Sequence, residues 1–204
     1  MSQMRQHERH YIYERSVLMQ NRTKKDLEAA LKRLLADKPL NRLTINELAE
    51  EAGISRMTFY YHFRDIYDLV EWICLEDARE ALQGKRTYLT WKEGLLQIFE
   101  AVYENKSFIL NVYRCVDRAY IERFLSGLVA DLIEGVVNEQ AEGLEIPGEK
   151  KHFIATFYMY SFVGIMLDWI ASGMRENYCE IVEDIATTMK GNISGSIYNY
   201  CPKN

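Results

Sequence analysis

The side chains best suited to chemistry in this chain lie close together, between residues 43 and 63. Thr44 stands three residues before a glutamate, the spacing of a capping box, and it predicts a short helix that Gly53 ends. Ser55 is placed to cap a second short helix, and two short helices around such a turn form a helix-turn-helix. The second helix would carry Arg56 at its N-terminal end, where the helix dipole is positive and an arginine can reach guanine in a DNA major groove.

Apolar residues of the same segment predict how the two helices hold together. Ala49 is small enough for a close crossing, and Gly53 can adopt the positive φ of a tight turn. Ile54 is expected to fill the crossing together with three other apolar side chains, Leu48, Phe59 and Phe63. This packing turns the other side chains of the second helix outward, namely Arg56, Met57, Thr58, Tyr60 and Tyr61.

The rest of the chain predicts only helices. A first helix follows Thr23, carries one apolar stripe and is stopped by Pro39. Capping residues and apolar periodicity predict further helices at about 65–83, 90–104, 107–115, 117–141, 149–172 and 178–198. No window alternates polar and apolar residues long enough for a sheet, so the fold class is all-α, with a three-helix head joined to a helical body.

The charge of the chain is distributed unevenly. Residues 1–64 contain 12 Lys and Arg against 8 Asp and Glu, whereas the remaining residues contain 13 against 22. A small part with a formal charge of +4 is therefore joined to a larger part with −9, for the total of −5. One explanation is ordinary surface variation; the other is a basic head that binds nucleic acid on a body that repels phosphates.

Composition and motifs exclude several classes of protein. With 204 residues, 48% of them hydrophobic, and only 3 prolines, the chain has the composition of a folded protein rather than a disordered one. It contains no GxGxxG, GxxxxGKS/T, GxSxG or HExxH motif, and its 4 histidines form no metal-binding set. We therefore expect no catalytic residue, no metal and no cofactor.

The chain also lacks the signals of secretion and membrane insertion. Its 4 cysteines are far apart without a CxxC pair, and the first twenty residues are charged without the apolar run of a signal peptide. The longest apolar stretch, Phe153 to Leu167, is shorter than the roughly 20 residues of a membrane span. The expected location is the cytoplasm, with free thiols and no membrane partner.

The run GISRMTFYYHF followed by DIYDLVEWI resembles the recognition helix and the following helix of TetR-type transcriptional regulators, and the resemblance covers roughly residues 22–80. It implies an N-terminal extension at 1–21, a helix-turn-helix DNA-binding domain at 22–64, and an effector-binding and dimerisation domain at 65–204. In that family the last two long helices pair with a second subunit in a four-helix bundle. The implied partners are double-stranded DNA, a second copy of the chain and an unknown small-molecule effector.

The resemblance also assigns DNA contacts by position. It implies that Thr44 meets a phosphate and that major-groove contacts come from Ser55, Arg56 and Thr58. The contacts implied for the DNA backbone or nearby bases come from Tyr60, Tyr61 and His62. The alternative for these last three is that they brace the head. Many relatives place a lysine at the start of the fourth helix, whereas this chain has Asp65 and Ile66, which leaves Arg64 or the N-terminal amides of that helix to hold a phosphate.

The body offers weaker assignments for an effector pocket. By the resemblance, the segments around the pocket hold aromatic and polar candidates, namely Trp72, Trp91, Tyr103, Asn111, Tyr113 and Arg114. The alternatives are that the aromatic residues belong to the core and that the polar ones form a solvated corner. The sequence names no effector.

Two late helices predict a subunit interface. Small and bulky residues alternate in the first, and apolar residues recur every four positions in the second. The expected interface residues are Ser161, Gly164, Ile165, Trp169, Ile181, Ile185 and Met189. The alternative is the core of a monomer. This body loosely resembles the branch of the family that includes the dihydroxyacetone kinase regulator.

The function expected from these features is sequence-specific transcriptional regulation. A homodimer would bind a palindromic operator, act as a repressor and respond to a small molecule. The alternative is a helical adaptor protein whose head binds a protein partner; it would show no salt-dependent binding to duplex DNA.

Overall fold

The computed structural model describes residues 21–81 and 90–202, and every regular element in these ranges is helical. A helix at 21–37 (α1) and a 3₁₀ turn at Leu40–Arg42 are followed by α2 (Ile45–Glu51), α3 (Arg56–His62) and α4 (Ile66–Ala81). The later helices are α5 (Trp91–Glu104), α6 (Lys106–Cys115), α7 (Arg118–Gln140), α8 (Gly148–Ala171), α9 (Tyr178–Met189) and α10 (Asn192–Tyr200). The all-α prediction is confirmed. The expected N-terminal extension lies almost wholly outside the described residues.

The chain divides into two compact units after Cys74, whereas the sequence placed the boundary after Arg64. The first half of α4 accounts for the difference, because its apolar side chains belong to the first unit and are buried there: Ile66, Leu69, Val70 and Ile73. We call residues 21–74 the head and residues 75–202 the body.

The helix crossing in the head has the predicted composition. Leu48 and Phe59 are completely buried, and Ala49 and Phe63 nearly so. Gly53 has a φ of +67°, a conformation that L-residues rarely adopt. After the turn, the Ile54 N–H donates to the Ala49 carbonyl at 2.9 Å, while the Ile54 side chain is only half-buried.

A complete capping box begins α2. The Glu47 N–H donates to Thr44 Oγ1 at 3.3 Å, and the Thr44 N–H donates to Glu47 Oε2 at 2.9 Å. Lys38, from the preceding loop, also donates to the Glu47 carboxylate. The hydrogen bond from Lys38, followed by those from Thr44, lowers the pKa of Glu47 to about 2.

Glu47→Gln should destabilise the protein at neutral pH, and the difference from the wild type should shrink in acid. A carboxyl group whose pKa is lowered in the folded state contributes stability that is complete above its ordinary value of 4.5. That contribution disappears as the pH falls from about 4.5 towards 2. Denaturant unfolding at a series of pH values measures the difference, with Glu50→Gln as a control for removing one charge from α2. A loss that is equal at pH 7 and at the acid end would contradict this cause.

Three other helix starts lack the reciprocal capping box that begins α2. Helix α1 is already formed at residue 21, so Thr23 lies inside it rather than at its start. The Thr90 side chain makes no cap hydrogen bond at the start of α5. Asn177 accepts from Cys179 N–H at 3.0 Å, two residues on, instead of forming the reciprocal pair with Glu180. The backbone conformation at each start decides which amide a short side chain can reach.

The body is built around the pairing of α7 with α8. Their facing apolar side chains, such as Leu132, Val136, Val163 and Met166, are almost fully buried, and α5, α9 and α10 add to the same core. By length and composition α8 is long and apolar enough to cross a membrane, but more than half of its most apolar stretch is buried inside the protein. A helix in the core of a protein can have the same length and composition. The burial of α8 against α7 favours the interpretation that α8 is such a core helix.

The predicted last helix at 178–198 is interrupted. Helix α9 ends at Met189 and α10 begins at Asn192, because Gly191 adopts a φ of +76° between them. Apolar periodicity continues through the break, with Ile193 and Ile197 buried like Ile185 and Met189, which is why the sequence pattern did not reveal it.

Candidate nucleic-acid interface

Two hydroxyl groups fix the first turn of α3. Ser55 Oγ accepts from the Thr58 N–H at 3.0 Å and lies 2.8 Å from Thr58 Oγ1. The contact between the hydroxyls uses one of their two protons, so one proton remains for an outside acceptor. Ser55 and Thr58 therefore cap the helix first, and they can offer one further hydrogen bond to a ligand.

Arg56 and Tyr60 lie one turn apart on the exposed face of α3. Arg56 Nη2 donates to Tyr60 Oη at 3.2 Å. The Arg56 guanidinium carbon lies 5.4 Å from the centroid of the Tyr60 ring. The structure thus brings these two predicted site residues into direct contact with each other.

The same helix carries two strongly exposed side chains. Met57 is 83% exposed and Tyr61 is 72% exposed, although both are large and partly apolar. Met57 was predicted to point outward, but it was not among the predicted DNA-binding residues. An apolar side chain at this position could contact a thymine methyl group. Helical periodicity relative to the buried Phe59 places Met57 on the exposed face, and this pattern was available in the sequence.

His62 is neutral at physiological pH. Burial, together with the positive charge of Lys24, lowers the pKa of His62 below its ordinary value. Its ring lies 5.1 Å from the Tyr61 ring and 6.4 Å from the Phe63 ring. His62 can therefore donate a neutral N–H to a phosphate oxygen, and it also braces the end of α3.

Thr44 is less available than the sequence implied. Its hydroxyl donates to Glu47 Oε2 at 2.8 Å while accepting from the Glu47 N–H. A phosphate contact by Thr44 would have to displace the carboxylate of Glu47, which repels phosphate. We therefore give Thr44 a structural role before any role in binding DNA.

Two carboxylates occupy the start of α4. The Asp68 N–H donates to Asp65 Oδ1 at 2.9 Å, and the Arg64 N–H donates to Asp68 Oδ2 at 2.9 Å. The Arg64 guanidinium also lies 3.5 Å from Asp68 Oδ1. The Arg64 side chain and one amide of the helix start, that of Asp68, are thus each engaged by a carboxylate.

Lys24 is a second cation near this corner, besides Arg64. Its ammonium group lies 5.6 Å from the centroid of the Phe63 ring and 5.3 Å from that of the Trp72 ring. This position could not be predicted from sequence, because Lys24 lies on α1 and reaches the end of α3 only in the folded head. Trp72 packs with Phe63 at 5.8 Å within the head, although it was expected in an effector pocket of the body.

The remaining effector candidates are spread over the body. Trp91 stacks on Phe162 at one end of α5, whereas Tyr103 stacks on Trp169 at the other. The three candidates on α6 differ in exposure: Asn111, half-buried, accepts from Cys115; Tyr113 packs against the core; Arg114 is exposed. These contacts do not bring the five residues together around one cavity.

Six of the seven predicted interface residues line a groove of about 650 Å³ between α8 and α9: Ser161, Ile165, Trp169, Ile181, Ile185 and Met189. Three of them are mainly core residues of the single chain, with Trp169 3%, Ile185 6% and Met189 7% exposed. Trp169, for example, donates to the Glu176 carbonyl and packs on Phe99. Burial in their own chain limits what these three side chains can offer to a partner.

The outward face of α8 carries large aromatic residues that the sequence analysis missed. Phe153, Phe157 and Tyr160 are each more than half exposed, and Ile165 continues the same stripe. Steps of four and three residues place Phe153, Phe157 and Tyr160 on one side of the helix, and Ile165 lies at the edge of that face. We call these four residues, together with Ser161 and Gly164, the α8 stripe. Their helical spacing was the signal available in the sequence.

Comparison with known proteins identifies relatives of both parts of the chain. The family model for bacterial regulatory proteins of the tetR family matches residues 27–73, and a model for a transcriptional regulator C-terminal region, TetR_C_8, matches residues 89–191. The HTH-type dhaKLM operon transcriptional activator DhaS of Lactococcus lactis subsp. lactis (strain IL1403) is 23% identical over 172 residues, which span 82% of this chain and 91% of that protein.

Solved structures have the same fold. The dihydroxyacetone kinase operon activator DhaS superposes with a TM-score of 0.68 at 21% identity, covering 88% of this chain and 98% of that one. A TetR transcriptional regulator from Streptococcus agalactiae 2603V gives 0.55 at 20% identity, covering 92% and 98%. A tetR-family regulator from Streptomyces coelicolor gives 0.58 at 15% identity, covering 90% and 91%.

Proposed function

The chain belongs to the TetR family of bacterial transcriptional regulators, and from that premise we propose that a homodimer of it binds a palindromic operator through α3 of each head. Membership makes the protein a DNA-binding regulator and not an enzyme. The observation that carries the proposal is the exposed face of α3, where Arg56, Met57, Tyr60 and Tyr61 stand out from a helix anchored by the buried Phe59. A major groove accepts a helix of this kind.

The charges of the head support DNA as its ligand. Arg56 places positive charge at the start of α3, and Lys24 places positive charge near its end. His62, the last residue of α3, offers an uncharged N–H donor. Phosphate neutralisation releases counterions, so the logarithm of the affinity should fall linearly with the logarithm of the salt concentration. A helical adaptor protein, the alternative from the sequence, would not bind duplex DNA at any salt concentration.

The α8 stripe supports a dimer. It exposes Phe153, Phe157, Tyr160 and Ile165 in the single chain, and it adjoins the groove between α8 and α9. Large apolar side chains that share one exposed helix face favour an interaction site there. Isologous pairing, in which the same face of both copies meets, would cover it and place two heads around a two-fold axis.

A two-fold symmetric protein should select a two-fold symmetric site. Selection of bound duplexes from a random library should return a palindrome or near-palindrome, with half-sites spaced by about one helical turn, roughly 34–36 Å, or somewhat more. Sequencing of the bound pool measures the spacing. Recovery of asymmetric single sites alone would contradict the proposed dimer on DNA.

The effector and the direction of regulation complete the proposal. A metabolite screen by thermal shift would find an effector as a ligand that raises the melting temperature, and substitutions at Trp91, Tyr103 or Arg114 then test whether it binds near the expected residues. The repressor role stays a prediction; the matches named DhaS are activators by name. In vitro transcription from the selected operator decides the direction. We place the protein in the bacterial cytoplasm, where its operator would lie.

A further inference from the structure

The contact between Arg56 and Tyr60 combines two kinds of interaction. The Tyr60 hydroxyl accepts a hydrogen bond from Arg56 Nη2 at 3.2 Å, and the guanidinium carbon lies 5.4 Å from the ring centroid. Residues four apart on a helix share one face, so the backbone of α3 favours the pair. An aromatic face attracts a cation, and the hydroxyl adds direction to that attraction. The arginine therefore has a partner on its own helix that favours one orientation of the guanidinium.

Of the two side chains, Tyr60 is the more firmly fixed. Its ring lies 5.7 Å from the ring of Phe59 at an interplanar angle of 82°, and Phe59 is completely buried. Tyr60 is 46% exposed, so part of it is anchored on the head while part remains at the surface. Arginine has far more rotamers than tyrosine, and an exposed arginine samples them unless a neighbour restricts it. The position of Tyr60 thus determines the position of the Arg56 guanidinium.

We propose that Tyr60 is a positioning residue for base recognition, which holds Arg56 in the orientation that reads a base. The proposal rests on the proposed function, in which α3 enters the major groove. Arginine has five N–H donors, and the bond to Tyr60 uses one of them, which leaves enough for both O6 and N7 of a guanine. The Tyr60 hydroxyl accepts from Arg56 and keeps its own proton, which it can donate to a phosphate oxygen.

This role differs from that of a simple phosphate contact. A tyrosine that only holds a phosphate contributes equally to every duplex and leaves base preference unchanged. A tyrosine that aligns Arg56 contributes most when the correct base is present, because the aligned guanidinium loses little freedom on binding it. With a wrong base the hydrogen bonds are not formed, and the alignment gives no advantage. Tyr60 therefore contributes to selectivity without contacting a base.

The test compares two duplexes with the full-length protein. One is the selected operator, and the other has the base pair read by Arg56 replaced in each half-site; Arg56→Ala identifies that base pair, because its preference is lost there. Tyr60→Phe keeps the ring and removes the hydroxyl. We expect it to reduce the ratio of the two affinities by about 3–10-fold in the wild-type background, and to leave the ratio unchanged in the Arg56→Ala background.

Tyr67→Phe is the matched control, since Tyr67 is an exposed tyrosine of the head that lies on α4, outside the proposed DNA-binding face. It should leave the ratio of the two affinities unchanged. An unchanged ratio in Tyr60→Phe, with its fold intact by circular dichroism, would overturn the positioning role. A ratio that still shifts in the Arg56→Ala background would overturn it too, because Tyr60 would then read the base itself. A wild-type protein that selects no duplex would overturn the proposed function as well, which separates the two failures.

Discussion

Gly164→Trp should convert the dimer into a monomer or an aggregate. Gly164 lies in the middle of the α8 stripe, and a Cβ added there would meet no atom within 4 Å apart from the local helix backbone. The chain itself therefore tolerates a larger residue at this position. Overpacking costs about 1–3 kcal/mol at each site, and a two-fold interface contains the site twice. The dissociation constant of the dimer should rise by roughly two orders of magnitude.

Sedimentation velocity at micromolar concentration measures this change. Gly127→Trp is the matched control, because Gly127 is an exposed glycine of α7 that likewise has nothing within 4 Å of an added Cβ. It should leave the dimer intact. Phe157→Glu, which puts a charge on the same stripe, should act like Gly164→Trp. An unchanged dimer in both stripe variants, or a monomeric wild type, would show that α8 is not the interface.

Arg56→Ala should remove the preference for one base in each half-site. Arg56 is the first residue of α3 and its side chain is exposed, so it is the arginine best placed to meet a base edge. A bidentate contact to guanine distinguishes the right base from the wrong one by roughly 1–3 kcal/mol. Affinity for the selected operator should fall by that amount, while affinity for a duplex altered at this position changes little. Competition binding at fixed salt measures both.

Arg79→Ala controls for the loss of one positive charge. Arg79 is an exposed arginine on α4 that pairs with Glu76 at 2.9 Å. Its removal should leave base preference intact at every position. Equal weakening of matched and altered duplexes by Arg56→Ala would assign Arg56 to the phosphate backbone instead of to a base.

The head could largely be predicted because short-range signals define it. The cap at Thr44, the positive φ of Gly53 and the cap at Ser55 each depend on residues within a few positions. Side-chain partners could not be predicted in the same way. Lys38 reaches Glu47 from the preceding loop, and Lys24 reaches Phe63 from another helix, so both contacts depend on the folded arrangement.

The interface was harder to predict for a different physical reason. An apolar stripe shows that one face of a helix is buried, but not whether its own chain or a second copy covers it. Trp169, Ile185 and Met189 have the spacing of an interface and are buried within the chain. Phe153 and Phe157, in contrast, are left exposed by their own chain, so a second copy could cover them. Only the packing of α8 against its neighbours separates the two sets.

The carboxylates at the start of α4 have a consequence for the search of a genome. Affinity for random DNA comes almost entirely from cations that neutralise phosphates. Asp65 and Asp68 place negative charge beside the end of α3, and Asp68 pairs with Arg64, which lowers that affinity. The free energy of contacts to base edges is reduced less by these carboxylates. The ratio of the affinity for the operator to the affinity for random DNA therefore rises. We therefore expect short dwell times on random sequence, and a larger fraction of molecules free to sample new sites.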